Sequence, residues 1–142
     1  MWRSGIAMWR EHPWLGVGPG GVKREYRNYA QAEVLMQRAG HLHNSALQIL
    51  VETGVAGLLV WLWLWAAFYT EAVRLFRRLL AADVGERALV AGSIDAITGF
   101  LMAGTAEYNF GDSAVVMLAW VIVPLQYVVS RGGPFALVKG VP

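Results

Sequence analysis

The chain has 142 residues, 56% of them hydrophobic and 15% charged, with seven tryptophans; that apolar content exceeds what a soluble domain buries and points to a membrane protein. Its net charge of +2 comes from scattered basic residues that form no stripe with interleaved aromatics, so no nucleic-acid partner is expected. The absence of cysteine removes disulfides and thiolate metal sites.

In chain order, Trp2, Ile6 and Trp9 with Arg3 and Arg10 between them predict a short amphipathic helix lying on a membrane surface. His12-Pro13 stops it. Gly16-Val17-Gly18-Pro19-Gly20-Gly21 has the letters of a dinucleotide loop, but no strand precedes it and no βαβ unit surrounds it, so it reads as a tight turn. Val22 to Ala39 sets Lys23, Arg24, Arg27 and Arg38 against Glu25 and Glu33, the pattern of one or two solvent-facing helices.

His41 and His43 follow at once, on a turn before a membrane helix. Two geometries fit them. A continuous helix over residues 42 to 57 puts His43, Gly54 and Gly57 on one face, open to close approach by a ligand. Alternatively, Ser45 and Gln48 form a capping box, the helix starts at Ser45, and His43 lies just outside a positive helix end that suits a neutral base beside a phosphate. Two histidines at i and i+2 with no third ligand at helical spacing make a poor zinc site. Neither a metal nor a cofactor is expected.

Three apolar blocks come next. Thr53 to Thr70 holds no charge, Ala88 to Ala106 only Asp95, and Ser113 to Ser130 none; each has about the 18 to 20 residues that cross a bilayer core. The expected fold is therefore all-α and integral to the membrane: three transmembrane helices in residues 55–142, preceded by a helical loop region in residues 1–54. The first span, roughly Gly54 to Phe76, carries Trp61, Trp63 and Trp65 as packing residues. Gly92, Ser93, Gly99, Ala103 and Gly104 give the second a small-residue face for close helix packing. Asp95 is its one intramembrane charge. Pro124 is expected to kink the third or to mark local unwinding in it. Arg74, Arg77, Arg78 and Arg87 lie between the first two spans, so the positive-inside rule puts residues 74–87 and the C-terminus in the cytoplasm. Residues 1–54 and the acidic turn 107–112 then face the periplasm together.

Several pieces in a fixed order carry a family likeness: Arg3 before Trp9, then His12-Pro13-Trp14-Leu15-Gly16-Val17-Gly18-Pro19-Gly20, then His43-Asn44 with nine residues before Gly54-x-x-Gly57, and finally Glu107 to Ser113. Together they resemble the C-terminal part of the O-antigen ligase and polymerase superfamily. The resemblance implies a glycosyltransferase of the bacterial inner membrane that moves a glycan from undecaprenyl diphosphate to a sugar of lipid A core, or to another glycan acceptor. It implies an inverting reaction with neither metal nor nucleotide. His43 matches the motif histidine and would be the general base on the acceptor hydroxyl. Arg3 matches the arginine placed before the tryptophan and would hold the diphosphate with its planar fork.

His41, Asn44 and Glu107 complete the expected substrate-binding set. Their alternatives stay open: a loop orientation away from the site for His41, a capping role for Asn44, a solvated turn for Glu107 and Asp112. His12 is read as structural. The same motif permits a glycan polymerase or a protein O-oligosaccharyltransferase, and a non-enzymatic membrane assembly or transporter segment is the competing class. Full-length members carry more spanning helices and another arginine upstream. The chain is accordingly expected to be a C-terminal fragment, inactive without an N-terminal transmembrane portion as its partner.

Overall fold

The computed structural model describes residues 1–29, 40–79 and 84–130. The helical expectation over residues 30–39 with Arg38, the Asp83 end of the arginine loop and the tail from Arg131 fall outside the described residues. The described residues are helical and contain no strand. The helices are α1 (Trp2–Glu11), α2 (Gly21–Tyr29), α3 (Ser45–Arg78), α4 (Val84–Ala103), α5 (Ser113–Ile122) and α6 (Leu125–Ser130), with one 3-10 turn at Asn109–Gly111. Contacts divide the chain into two compact units, Met1–Trp63 with Met102–Asp112, and Leu64–Leu101 with Ser113–Pro142.

In the first unit, Met8, Val22, Tyr26, Leu42 and Val51 form the core, with Trp9, Val17, Tyr29 and Leu47 packed around it. The inward face of α1 is Ser4, Gly5 and Met8. Trp2 and Ile6 stay on the outside, which leaves an apolar outer face for a surface helix. The Tyr29 hydroxyl donates to the Glu11 carboxylate and so ties α2 to the end of α1.

The unit is organised around a break in α3. Gly54 sits at φ 69, ψ −170, a conformation essentially confined to glycine. In an unbroken helix, the N–H groups of Val55 and Ala56 would bond to the carbonyls of Val51 and Glu52. The loop 13–18 takes all four groups instead. Val55 N–H donates to Pro13 O at 2.9 Å and Ala56 N–H to Trp14 O at 3.3 Å, while Val17 N–H and Gly18 N–H donate to Val51 O and Glu52 O, each at 2.9 Å. A Cβ on Gly54 would lie 2.2 Å from the Trp14 carbonyl, and one on Gly16, at φ +68, would lie 2.4 Å from the Glu52 carbonyl carbon. Both glycines let two backbones meet. The remaining turn, closed by Gly21 N–H to Gly18 O at 2.9 Å, starts α2 as the glycine pattern predicts.

This arrangement differs from the expected open glycine face. Gly54 is covered by the Trp14 backbone, and the space beside Gly57 is filled by the Thr53 side chain, whose hydroxyl would be 2.0 Å from a Cβ there. The helix starts at Ser45, so the continuous helix over residues 42–57 does not form.

In the second unit, Trp65 is buried and packs with Phe68, Phe100 and Trp120, the last stacked at 6.3 Å. Leu75, Val90 and Val129 form a second core. Trp63, in the first unit, is 69% exposed, so the three tryptophans do not share one packing role. Of the three expected spans, α3 is, among the described residues, the helix long and apolar enough to cross a bilayer. The 20 residues of α4 include Glu86, Arg87 and Asp95, and Asp95 lies on an exposed face. Gly92 and Gly99 have nothing within 4 Å of a Cβ position, so these two glycines make no close helix contact. The third apolar block is split: α5 ends at Ile122 and α6 begins at Leu125, because Pro124 has no N–H to continue the ladder.

Candidate active site

The site is assembled in the first unit on the turn before α3. Leu42 is fully buried and fixes the two histidines that flank it. The Trp2 indole donates to Leu42 O at 3.0 Å, and Leu42 N–H donates to Gln48 Oε1 at 2.9 Å. Gln48 Nε2 in turn donates to Glu52 Oε1 at 2.9 Å. Gly5 makes room for Leu42, since a Cβ there would stand 2.8 Å from Leu42 Cδ1. His43 follows with φ 50, a left-handed conformation uncommon outside glycine though histidine tolerates it better than most.

Asn44 caps the helix. Its Oδ1 accepts from Leu47 N–H at 2.8 Å and its Nδ2 donates to Thr105 O at 2.9 Å. The cap is thus one residue earlier than the proposed Ser45–Gln48 box. Ser45 is used otherwise: its N–H donates to Gly104 O at 2.7 Å, its hydroxyl donates to Glu107 O at 3.1 Å, and it accepts from Asn109 N–H at 3.2 Å. Two consecutive residues therefore hold the acidic turn against the start of α3.

That stapling delivers Glu107 to the histidines. His43 Nδ1 lies 3.0 Å from both carboxylate oxygens of Glu107, and His41 Nδ1 lies 3.2 Å from Oε1. The two imidazoles stand 4.3 Å apart between ring centres. A hydrogen bond from the Tyr108 N–H, then one from His43, hold the Glu107 carboxyl below the ordinary carboxylate range, so it is an anion at neutral pH. Burial, followed by the charge of Glu52, pushes the Tyr108 hydroxyl up. It stays a neutral donor, its ring 6.1 Å from that of His41.

Of the expected site residues, His41, His43 and Glu107 come together, and Asn44 adjoins them with both polar atoms of its side chain engaged by backbone. Arg3 is exposed in the first turn of α1, next to Trp2, and no ion pair joins it to Glu107 among the described residues. His12 ends α1 and accepts from Gly16 N–H at 3.0 Å through its carbonyl. Glu52 and Tyr108 are not among the expected site residues, and Gln48 is expected only in a capping box. The i, i+4 spacing of Gln48 and Glu52 immediately before Gly54 was the available signal for these two.

A tethered imidazole and a carboxylate thus stand together at the head of a long apolar helix, α3. Residues 1–62 match the family model described as O-antigen ligase. That segment is similar to the O-antigen ligase and polymerase family, a family of inner-membrane proteins. The matched segment contains Arg3, the 13–18 loop, both site histidines, Asn44 and Gly54, and it stops short of Glu107. No curated protein matches the chain.

Proposed function

We propose that His43 is the general base of a membrane glycosyltransferase, acting with Glu107 as a dyad. The single observation that carries this is the 3.0 Å approach of His43 Nδ1 to the Glu107 carboxylate. Such a partner draws the imidazole proton to Nδ1 and leaves the Nε2 lone pair for substrate, the arrangement that fixes tautomer and orientation in other imidazole bases. An acceptor hydroxyl bonded to Nε2 gives up its proton as its oxygen attacks the anomeric carbon. The bond from that carbon to the diphosphate breaks, and the lipid diphosphate leaves with the electron pair. Glu107 stabilises the imidazolium that results. Arg3 supplies guanidinium charge to the leaving diphosphate.

In this reading the donor is a glycan on undecaprenyl diphosphate and the acceptor a sugar of lipid A core. Polymerisation and protein glycosylation would use the same proton transfer. Residues 1–54 and 107–112 face the periplasm, residues 74–87 the cytoplasm, and the three apolar blocks within residues 55–142 cross the membrane. The arginines after the first block support this orientation. The test is to place the segment in a full-length ligase and assay capped lipopolysaccharide. His43→Ala lowers capping by about 100- to 10,000-fold, the usual worth of a positioned general base, and Glu107→Gln lowers it by a smaller factor. Capping unchanged in His43→Ala would remove the proposal.

A further inference from the structure

His41 is the part of the site that the dyad leaves unused. Its Nδ1 is shielded from solvent and has no hydrogen-bond partner, although Glu107 Oε1 is only 3.2 Å away. One carboxylate and one shared proton satisfy His43 and leave the second imidazole nitrogen unmatched. A cation that accepts three lone pairs at once would satisfy all three side chains.

We propose that His41 Nδ1, His43 Nδ1 and the Glu107 carboxylate form a binding site for a divalent transition-metal ion of the zinc type. Zinc bonds of about 2.0 to 2.2 Å to nitrogen and oxygen at tetrahedral angles place neighbouring ligand atoms about 3.3 Å apart. The nitrogen-to-oxygen separations here are 3.0 and 3.2 Å, and the three ligand atoms all lie within 4.8 Å of one another. Two imidazoles and a carboxylate prefer zinc, copper or nickel over calcium and magnesium, which take oxygen ligands. The third ligand that the histidine spacing alone lacked comes from 64 residues along the chain. His41 Nδ1 is shielded, but the side chains of His43 and Glu107 are 47% and 52% exposed, which leaves an ion an approach from solvent on their side. The left-handed backbone of His43 is the kind of strain found at ligand clamps.

The ion and the base use the same nitrogen. With a metal on Nδ1, the His43 proton sits on Nε2, and that nitrogen no longer accepts a proton from a hydroxyl. Zinc is therefore an inhibitor of the transfer step, a consequence that rests on the proposed function, whereas binding itself does not.

The experiment uses the full chain in detergent micelles and zinc alone, in competition with a chromophoric chelator. One equivalent of zinc binds, and His41→Ala and Glu107→Gln each weaken it at least about tenfold, the scale seen when metal sites lose supporting groups. His12→Ala, outside the cluster, binds as the unaltered chain does. Cobalt absorption of the unaltered chain supplies a readout independent of any variant: a tetrahedral spectrum supports the site and an octahedral, water-like spectrum overturns it. Absence of stoichiometric zinc, or equal affinity in all variants, likewise overturns it. Zinc bound at this cluster together with unimpaired capping in His43→Ala would uphold the metal site while removing the base. Capping that depends on His43, with no zinc bound, would do the reverse.

Discussion

Gly54→Ala is the most informative perturbation of the architecture. A residue with a Cβ at φ 69, ψ −170 carries a backbone strain of about 1 to 3 kcal/mol, and its Cβ would lie 2.2 Å from the carbonyl carbon and oxygen of Trp14. Those are backbone atoms, so no side-chain rotation relieves the contact. The cheaper response is for residue 54 to become helical. Val55 and Ala56 then bond back to Val51 and Glu52, and the loop 13–18 is expelled. Four loop groups, the carbonyls of Pro13 and Trp14 and the N–H groups of Val17 and Gly18, return to water, at a net loss of about 1 kcal/mol for each bond not replaced. Two helical bonds replace four loop bonds, so either route costs about 2 kcal/mol, equivalent to roughly a thirtyfold loss of protection. Hydrogen exchange at the amides of Val17 and Gly18 reads it directly. Gly99→Ala is the control, since nothing lies within 4 Å of its Cβ position, and a helical Gly-to-Ala change there is neutral or stabilising by up to about 1 kcal/mol. Unchanged protection of Val17 and Gly18 in Gly54→Ala would refute the loop-for-helix exchange.

Other consequences are smaller. Asn44→Ala removes the helix cap and the bond to Thr105 O, and should lower stability by about 1 to 2 kcal/mol in thermal unfolding, whereas Asn44→Asp keeps the cap and recovers part of that; equal loss in both would dismiss the cap. Trp2→Phe deletes the indole bond to Leu42 O and should cost about 1 kcal/mol, with faster exchange at the Leu42 amide; no change there would detach α1 from the histidine turn. The Tyr29 hydroxyl ionises above its ordinary value, first because of its hydrogen bond to Glu11, then through burial and the Glu11 and Glu25 charges. Its contribution to stability is thus present below about pH 10 and lost as the pH rises through the raised folded value. Ultraviolet titration should show the Tyr29 transition falling toward the ordinary range in Glu11→Gln, and an unmoved transition would contradict the pairing.

Much of this was legible in the residues because it depended on local backbone demands. The glycines after His12-Pro13 announced a turn, and His43 ahead of a long apolar run announced a polar side chain at a helix entrance. What the loop did with its turn was not legible. The exchange with α3 is made by backbone groups that every residue possesses, and only the glycines at positions 16 and 54 mark it. Of the two geometries the residues permit, the open glycine face is therefore the one that fails, since Gly54 serves the Trp14 backbone.

The cap moved from Ser45 to Asn44 because Ser45 is occupied by the 104–109 turn, a partner 59 or more residues away that local patterns do not encode. For the same reason Glu107 could be named as a site candidate, yet its meeting with both histidines, and the unmatched nitrogen of His41, required the tertiary structure. Hydropathy marked three apolar blocks correctly as apolar. It could not show that Pro124 divides the third into two helices or that Asp95 sits on an exposed face of α4.

The sharpest test of the dyad is a double-mutant cycle on capping rate in the full-length ligase carrying this segment, with His43→Ala, Glu107→Gln and the pair combined. If Glu107 acts through His43, the combined variant is no slower than His43→Ala alone. Independent, multiplicative losses from the two substitutions would contradict the account.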